Sequence, residues 1–167
     1  MPYSTVIRTL RDGSVQIKDG SSPVKTCTIA CDEGDLNWRE QNDVKVIKCR
    51  GVLTGVRQGD KVPCELNLTM KWAMLVAFDE NSSNPIMPYE MINNVGSNFT
   101  STESGAYCLQ WVFTVAAPSG VAAANGEIIT FNDVWKTSLD CREGDEANTL
   151  AFSGMMLNEA PTITSAS

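Results

Sequence analysis

The chain has 167 residues, a net charge of −7, a sequence pI near 4.5 and no histidine. That length suits one domain with a real core. The acidity argues against tight binding to a phosphate backbone, and the missing imidazole removes Ser-His and Cys-His pairs and the usual acid–base group near neutral pH. In chain order, residues 5–10 and 14–19 read as two short strands about Arg11-Asp12-Gly13, the second alternating Val15 and Ile17 with Ser14, Gln16 and Lys18. Residues 24–30, rich in β-branched side chains, give a third strand. A polar loop at 39–43 precedes a β-prone stretch at 44–53, and residues 55–61 turn the chain.

Residues 62–78 carry the strongest pattern. Val62, Cys64, Leu66, Leu68, Met70, Trp72, Met74, Val76 and Phe78 place an apolar group at every second position, which predicts one strand of about 55 Å. Glu65, Asn67, Thr69 and Lys71 form its polar face. Ala73, Leu75 and Ala77 then turn that face small and apolar, so the far end is expected to be covered on both sides by the rest of the domain or by another copy. Ile86, Tyr89, Ile92 and Val95 recur at helical spacing and predict one short helix, with Asn84 as its cap, Pro85 and Pro88 in its first turn, and Asn94 and Gly96 at its end. Tyr107, Leu109, Trp111, Phe113 and Val115 alternate as a second strong strand. Residues 127–131, 134–139 and 149–157 follow, and residues 159–167 read as a mobile tail. The expected fold is mostly β, a single domain over residues 1–167: a sandwich or barrel of about nine strands with one short flanking helix.

Chemistry-bearing groups are sparse. The six cysteines contain no C-x-x-C pair and follow no export signal, so buried thiols are expected rather than zinc or disulfides. Cys31-Asp32-Glu33-Gly34-Asp35 and Cys141-Arg142-Glu143-Gly144-Asp145 share a C-x-E-G-D pattern. Chance or convergent turn chemistry is the leading reading; the functional alternative is a calcium loop, since carboxylate oxygens suit a hard cation, but neither stretch has the regular ligand spacing of one. The carboxylates fall mainly in turns, and Trp72 and Trp111 sit in apolar alternation as core residues. The expectation is therefore no enzyme, no metal and no cofactor. No apolar run approaches the roughly 20 residues of a membrane span, and the N-terminus does not read as a signal peptide, so a soluble chain made in the cytosol is expected.

The serial order of motifs adds a further reading. Glu33-Gly34-Asp35-Leu36-Asn37-Trp38, then Arg50-Gly51-Val52-Leu53, then Arg57-Gln58-Gly59-Asp60-Lys61-Val62-Pro63 opening an alternating strand, resembles the major tail tube protein family of long-tailed bacteriophages. The Pro88-Tyr89 helix, the aromatic strand from Tyr107, the β-prone region 128–139, and the run from Glu143-Gly144-Asp145 to Ser153-Gly154 follow in the order that family shows. Together they cover residues 13–164.

The resemblance implies a β-sandwich with one flanking helix, forming hexameric rings that stack into a tube. Its partners would be further copies of itself, a tape measure protein, and tail terminator and tail-tip proteins. DNA would pass through during ejection without specific binding and no membrane would be involved. Such a chain would assemble in the host cytoplasm and reside in the tail of the virion. Rival readings are a neck or tail-completion ring protein and a carbohydrate-binding β-sandwich using exposed tryptophans.

Three sets of site residues follow. Trp38, Arg39, Glu40, Asp43, Lys45, Lys48 and Arg50 lie on a polar connection with both charge signs interleaved and are assigned to ring stacking, the alternative being a solvated loop. Glu65, Asn67, Thr69 and Lys71 are assigned to the channel face, although alternation does not distinguish it from the outer face. Ala73, Leu75 and Ala77 are assigned to contacts within a ring.

Overall fold

The computed structural model describes residues 13–31, 36–72, 75, 86–96, 99–115 and 126–166. Among them the chain forms ten strands and one helix: β1 (Gly13–Lys18), β2 (Thr26–Cys31), β3 (Asn37–Arg39), β4 (Val44–Cys49), β5 (Val52–Gln58), β6 (Cys64–Trp72), α1 (Pro88–Asn93), β7 (Cys108–Val115), β8 (Gly126–Arg142), β9 (Asn148–Met156) and β10 (Thr162–Ala166).

Eight strands share one antiparallel sheet in the order β10-β8-β7-β1-β2-β6-β3, and β9 pairs with both β6 and β8. That double pairing closes β8-β7-β1-β2-β6-β9 into a barrel. Closure explains the alternation: every second residue must point into a dry interior. Val15, Ile17, Leu66, Leu68, Met70, Trp111, Phe113, Phe131, Leu150 and Phe152 fill it, all 3 % exposed or less. Trp111 stacks on Phe152 with ring centroids 4.5 Å apart, and Phe113 meets Phe131 edge-on at 5.5 Å. Each such side chain contributes about 2–3 kcal/mol by leaving water.

Helix α1 is the flanking helix the spacing predicts, shorter than the full run. Pro88 occupies its first position, and Glu90 reaches back to accept from the Met87 amide at 2.8 Å, half of a capping box. Asn94 ends it at φ 53°, a left-handed cap that asparagine tolerates. Met91 and Ile92 are buried in the core, and the Tyr107 hydroxyl donates to the Met91 carbonyl. Asn84 and Pro85 lie outside the described residues.

The structure corrects four expectations. The strand read over residues 62–78 begins at Cys64, and its described ladder ends at Trp72; residues 73–74 and 76–78 lie outside the description, and Leu75 sits in a bend. Among the described residues the seventeen-residue strand is β8. It runs through Asn132 and Asp133, read as a break, because Asp133 takes φ 52° and its carbonyl accepts from the Leu157 amide at 3.3 Å, so the strand bends without ending. The tail expected to be mobile supplies β10, which pairs Thr162–Ala166 with β8 from Thr130 to Gly126. Finally, Cys27, Cys64 and Cys108 are buried as expected, but Cys49 and Cys141 are exposed.

Candidate assembly surfaces

Strands β4 and β5 form a separate two-stranded sheet. Arg50 at φ 49° and Gly51 at φ 81° make the two-residue turn between them, with both central residues left-handed as the twist of a tight hairpin requires. Gly51 takes that conformation freely, whereas Arg50 is strained there. Every residue of both strands is exposed. Val44, Val46, Ile47, Val52, Leu53 and Val56 leave 44 to 70 % of their surface in contact with water. The register places Val44, Val46 and Val56 on one face and Ile47 on the other, so neither face is simply wet. A lone hairpin is marginal in water, and this one is an arm without described support from the barrel.

The base of the arm is held by Asp43. Its backbone carbonyl accepts from the Gly59 amide at 2.7 Å, and its carboxylate accepts from the Asp60 amide at 3.0 Å and pairs with Lys45 at 3.1 Å. The Asp60 amide first, and the Lys45 ammonium second, hold the Asp43 carboxyl below the usual carboxylate range. A Cβ at position 59 would stand 2.2 Å from the Asp43 carboxylate, so glycine is what lets the two legs of the arm close. Gln58 donates to Asn42 at 2.6 Å just beside this clasp.

The seven residues assigned to stacking are therefore not one polar loop. Trp38 belongs to β3, in the barrel wall; it is half-buried, meets Phe131 edge-on at 5.8 Å and donates from Nε1 to Glu40 at 3.3 Å. Arg39 and Glu40 are exposed beside it, Asp43 is the clasp, and Lys45, Lys48 and Arg50 lie on the arm. Both acids lie below the arm with Arg39, and the remaining cations, Lys45, Lys48 and Arg50, lie on it. Sequence reading took residues 55–61 as a turn and so missed β5, the second leg. Two alternating apolar segments about Arg50-Gly51 were the signal for it.

Glu65, Asn67, Thr69 and Lys71 do share one face of β6, opposite Cys64, Leu66, Leu68 and Met70. The register extends this face across the sheet to Met155, Ser153, Ala151 and Thr149 on β9, and to Trp135, Ser138, Asp140 and Arg142 on β8. Glu65 accepts from Gln41 at 3.1 Å. The result is a mixed strip in which Glu65 and Asp140 are balanced in number by Lys71 and Arg142. Leu75 packs against the barrel core, and Ala73 and Ala77 lie outside the described residues.

Several ladder edges are open among the described residues: β10 and β3 lie at the two ends of the sheet order, β8 from Lys136 onward pairs only with β9, and β4 and β5 pair only with each other. Sequence reading did not find these edges, because strand order follows from pairing partners far apart in the chain. No group of three or more metal-ligating side chains converges among the described residues.

No protein-family model matches the chain, and no curated protein matches it either. Among solved structures, the chain is similar in fold to a chain in the cryo-EM structure of the anti-feeding prophage cap, the AFP tube terminating cap, with a TM-score of 0.55 and 14% identity over 99% of this chain and 95% of that one.

Proposed function

We propose that this chain is a structural subunit of a phage tail or tail-like tube, forming rings that stack through the arm. The arm carries the reading: a hairpin exposed on both faces with six large apolar side chains is stable only against a partner. The end-to-end likeness to a chain in a tube-cap assembly supports the same class of particle. The open edges on β10 and on β8 suit a sheet that continues into the neighbouring subunit, and closure of such head-to-tail contacts gives a ring, hexameric in this reading. The strip of Glu65, Asn67, Thr69 and Lys71 then faces the channel, where the absence of a basic excess lets DNA slide without sticking. A tape measure protein, a terminator and tip proteins are its proposed partners, and the tail of the virion its location.

A second reading, a terminator or neck ring, is favoured by the neighbour being part of a tube-terminating cap. Electron microscopy of the concentrated purified protein separates the two. Stacked rings of regular repeat are expected for a tube subunit and isolated single rings for a terminator. A particle that stays monomeric at every concentration would remove both.

A further inference from the structure

The arm differs from the body beneath it in charge as well as in support. Residues 44–58 hold four of the chain's thirteen Lys and Arg residues, Lys45, Lys48, Arg50 and Arg57, and none of its twenty Asp and Glu. The whole chain carries −7, so the remainder is more acidic still. Lys45 is engaged by Asp43, whereas Lys48, Arg50 and Arg57 are exposed without an ion pair among the described residues.

The densest exposed acid among the described residues lies at the end of β8 and the β8–β9 connection, where residues 140–146 hold Asp140, Glu143, Asp145 and Glu146 with one cation, Arg142. Arg142 meets Asp140 at 3.2 Å, but both side chains are more than 60% exposed, so the pair is screened and leaves the acids in excess. Topology sets this connection far from the arm. The legs of the arm join β6 at its start, where Arg39 lies opposite Glu65 and Cys64 opposite Met156; the β8–β9 connection lies at its end, where Trp72 faces Asn148. Nine strand residues separate the two by about 30 Å, and the seven residues of β5 extend about 23 Å, so the arm falls short of the acidic turn of its own chain.

We propose that the arm docks on the β8–β9 turn of a second copy, with Lys48, Arg50 and Arg57 facing Asp140, Glu143, Asp145 and Glu146. Arm-to-arm pairing is disfavoured because it sets cation against cation. The contact is therefore heterologous: each copy offers an arm at one end of β6 and a turn at the other, so copies add head to tail and the assembly has a direction. A nucleic acid would satisfy the cations but would leave Val44, Val46, Ile47, Val52, Leu53 and Val56 uncovered, which a protein surface does not. The tube reading enters only in taking this axis as the axis of stacking; the contact itself is a property of two copies.

Three full-length variants test it: Lys48→Glu with Arg57→Glu on the arm, Glu143→Lys with Asp145→Lys and Glu146→Lys on the turn, and all five changes together. Circular dichroism checks the fold, and sedimentation velocity reads self-association. The wild type is expected to associate roughly tenfold more weakly at about 500 mM than at about 50 mM salt. Each single-surface reversal should weaken association by roughly tenfold or more, and the five-change variant should recover most of the loss. An equimolar mixture of the two single-surface variants should also associate, since each supplies the surface the other needs.

Monomeric wild type at every concentration, single-surface variants that associate like wild type, or a five-change variant as weak as its parents would each overturn the contact. So would an arm whose reversal abolishes duplex DNA binding but leaves self-association unchanged. Rings that form regardless of these charges sink this contact and leave the tube reading standing. Charge-dependent pairing without rings does the reverse.

Discussion

Asp19 is buried to 4 % exposure in the turn after β1, yet it is well satisfied. Its Oδ1 accepts from the Ser21 hydroxyl at 2.7 Å, the Ser21 amide at 3.3 Å and the Lys25 amide at 2.8 Å, and its Oδ2 from the Thr100 amide at 3.2 Å. Burial pushes its carboxyl up, but these bonds together outweigh burial and hold it below the ordinary carboxylate value. A depressed folded-state pKa means that the stabilisation is fully present above the unfolded pKa, about 4, and is lost as the pH falls through the folded value. Asp19→Asn should therefore cost about 2–3 kcal/mol at pH 7, and the cost should shrink as the pH is lowered below about 4, as read by urea unfolding across that range. Thiols show a second contrast at this scale. Burial, with Glu90 beside it, pushes Cys27 up to about 12, and burial first of all raises Cys64 and Cys108 as well. Alkylation of the native chain at pH 8 followed by peptide mapping should modify Cys49 and Cys141 and spare those three until the chain unfolds.

Among the elements, the arm and the barrel differ most in how their backbone is protected. Barrel strands such as β6 are paired on both sides over a buried face, whereas β4 and β5 have only each other. Amides of residues 44–58 should exchange with deuterium orders of magnitude faster than those of β6 and β7 in the dissociated chain, and should become protected on self-association. Fast exchange in both states would mean that the arm docks nowhere. The same contrast explains what could be read from sequence. Strands β6 and β7 announce themselves because one face of each must be apolar, and α1 because Pro88 and Asn94 punctuate it. β8 was split because Asp133 at φ 52° looks like a turn residue yet only bends the strand. The arm was half-seen: Lys45, Lys48 and Arg50 were singled out, but without β5 their acidic neighbours Glu40 and Asp43 seemed to belong to the same surface. The separation was present in the string, since residues 44–58 contain no acid, but only the hairpin shows that stretch to be one projecting element.

At the scale of the whole molecule, the barrel sets the arm and the acidic β8–β9 turn at opposite ends of β6, which is what the proposed head-to-tail contact requires. Barrel closure was legible only as a class, since alternation reports a dry side and not which strands meet. β1 shows the distance involved: it is held between β2 and β7, and Gly13 lies opposite Val115, with Val15 opposite Phe113. Until Val115 exists, the buried face of β1, Val15 and Ile17, has only half its wall. At a synthesis rate of about 5–20 residues per second, the hundred-residue gap keeps that face uncovered for on the order of 5–20 s on the ribosome. The barrel therefore cannot build outward from its first hairpin as each strand emerges, and must wait to zip β1 against β7 late, with the arm between them already made.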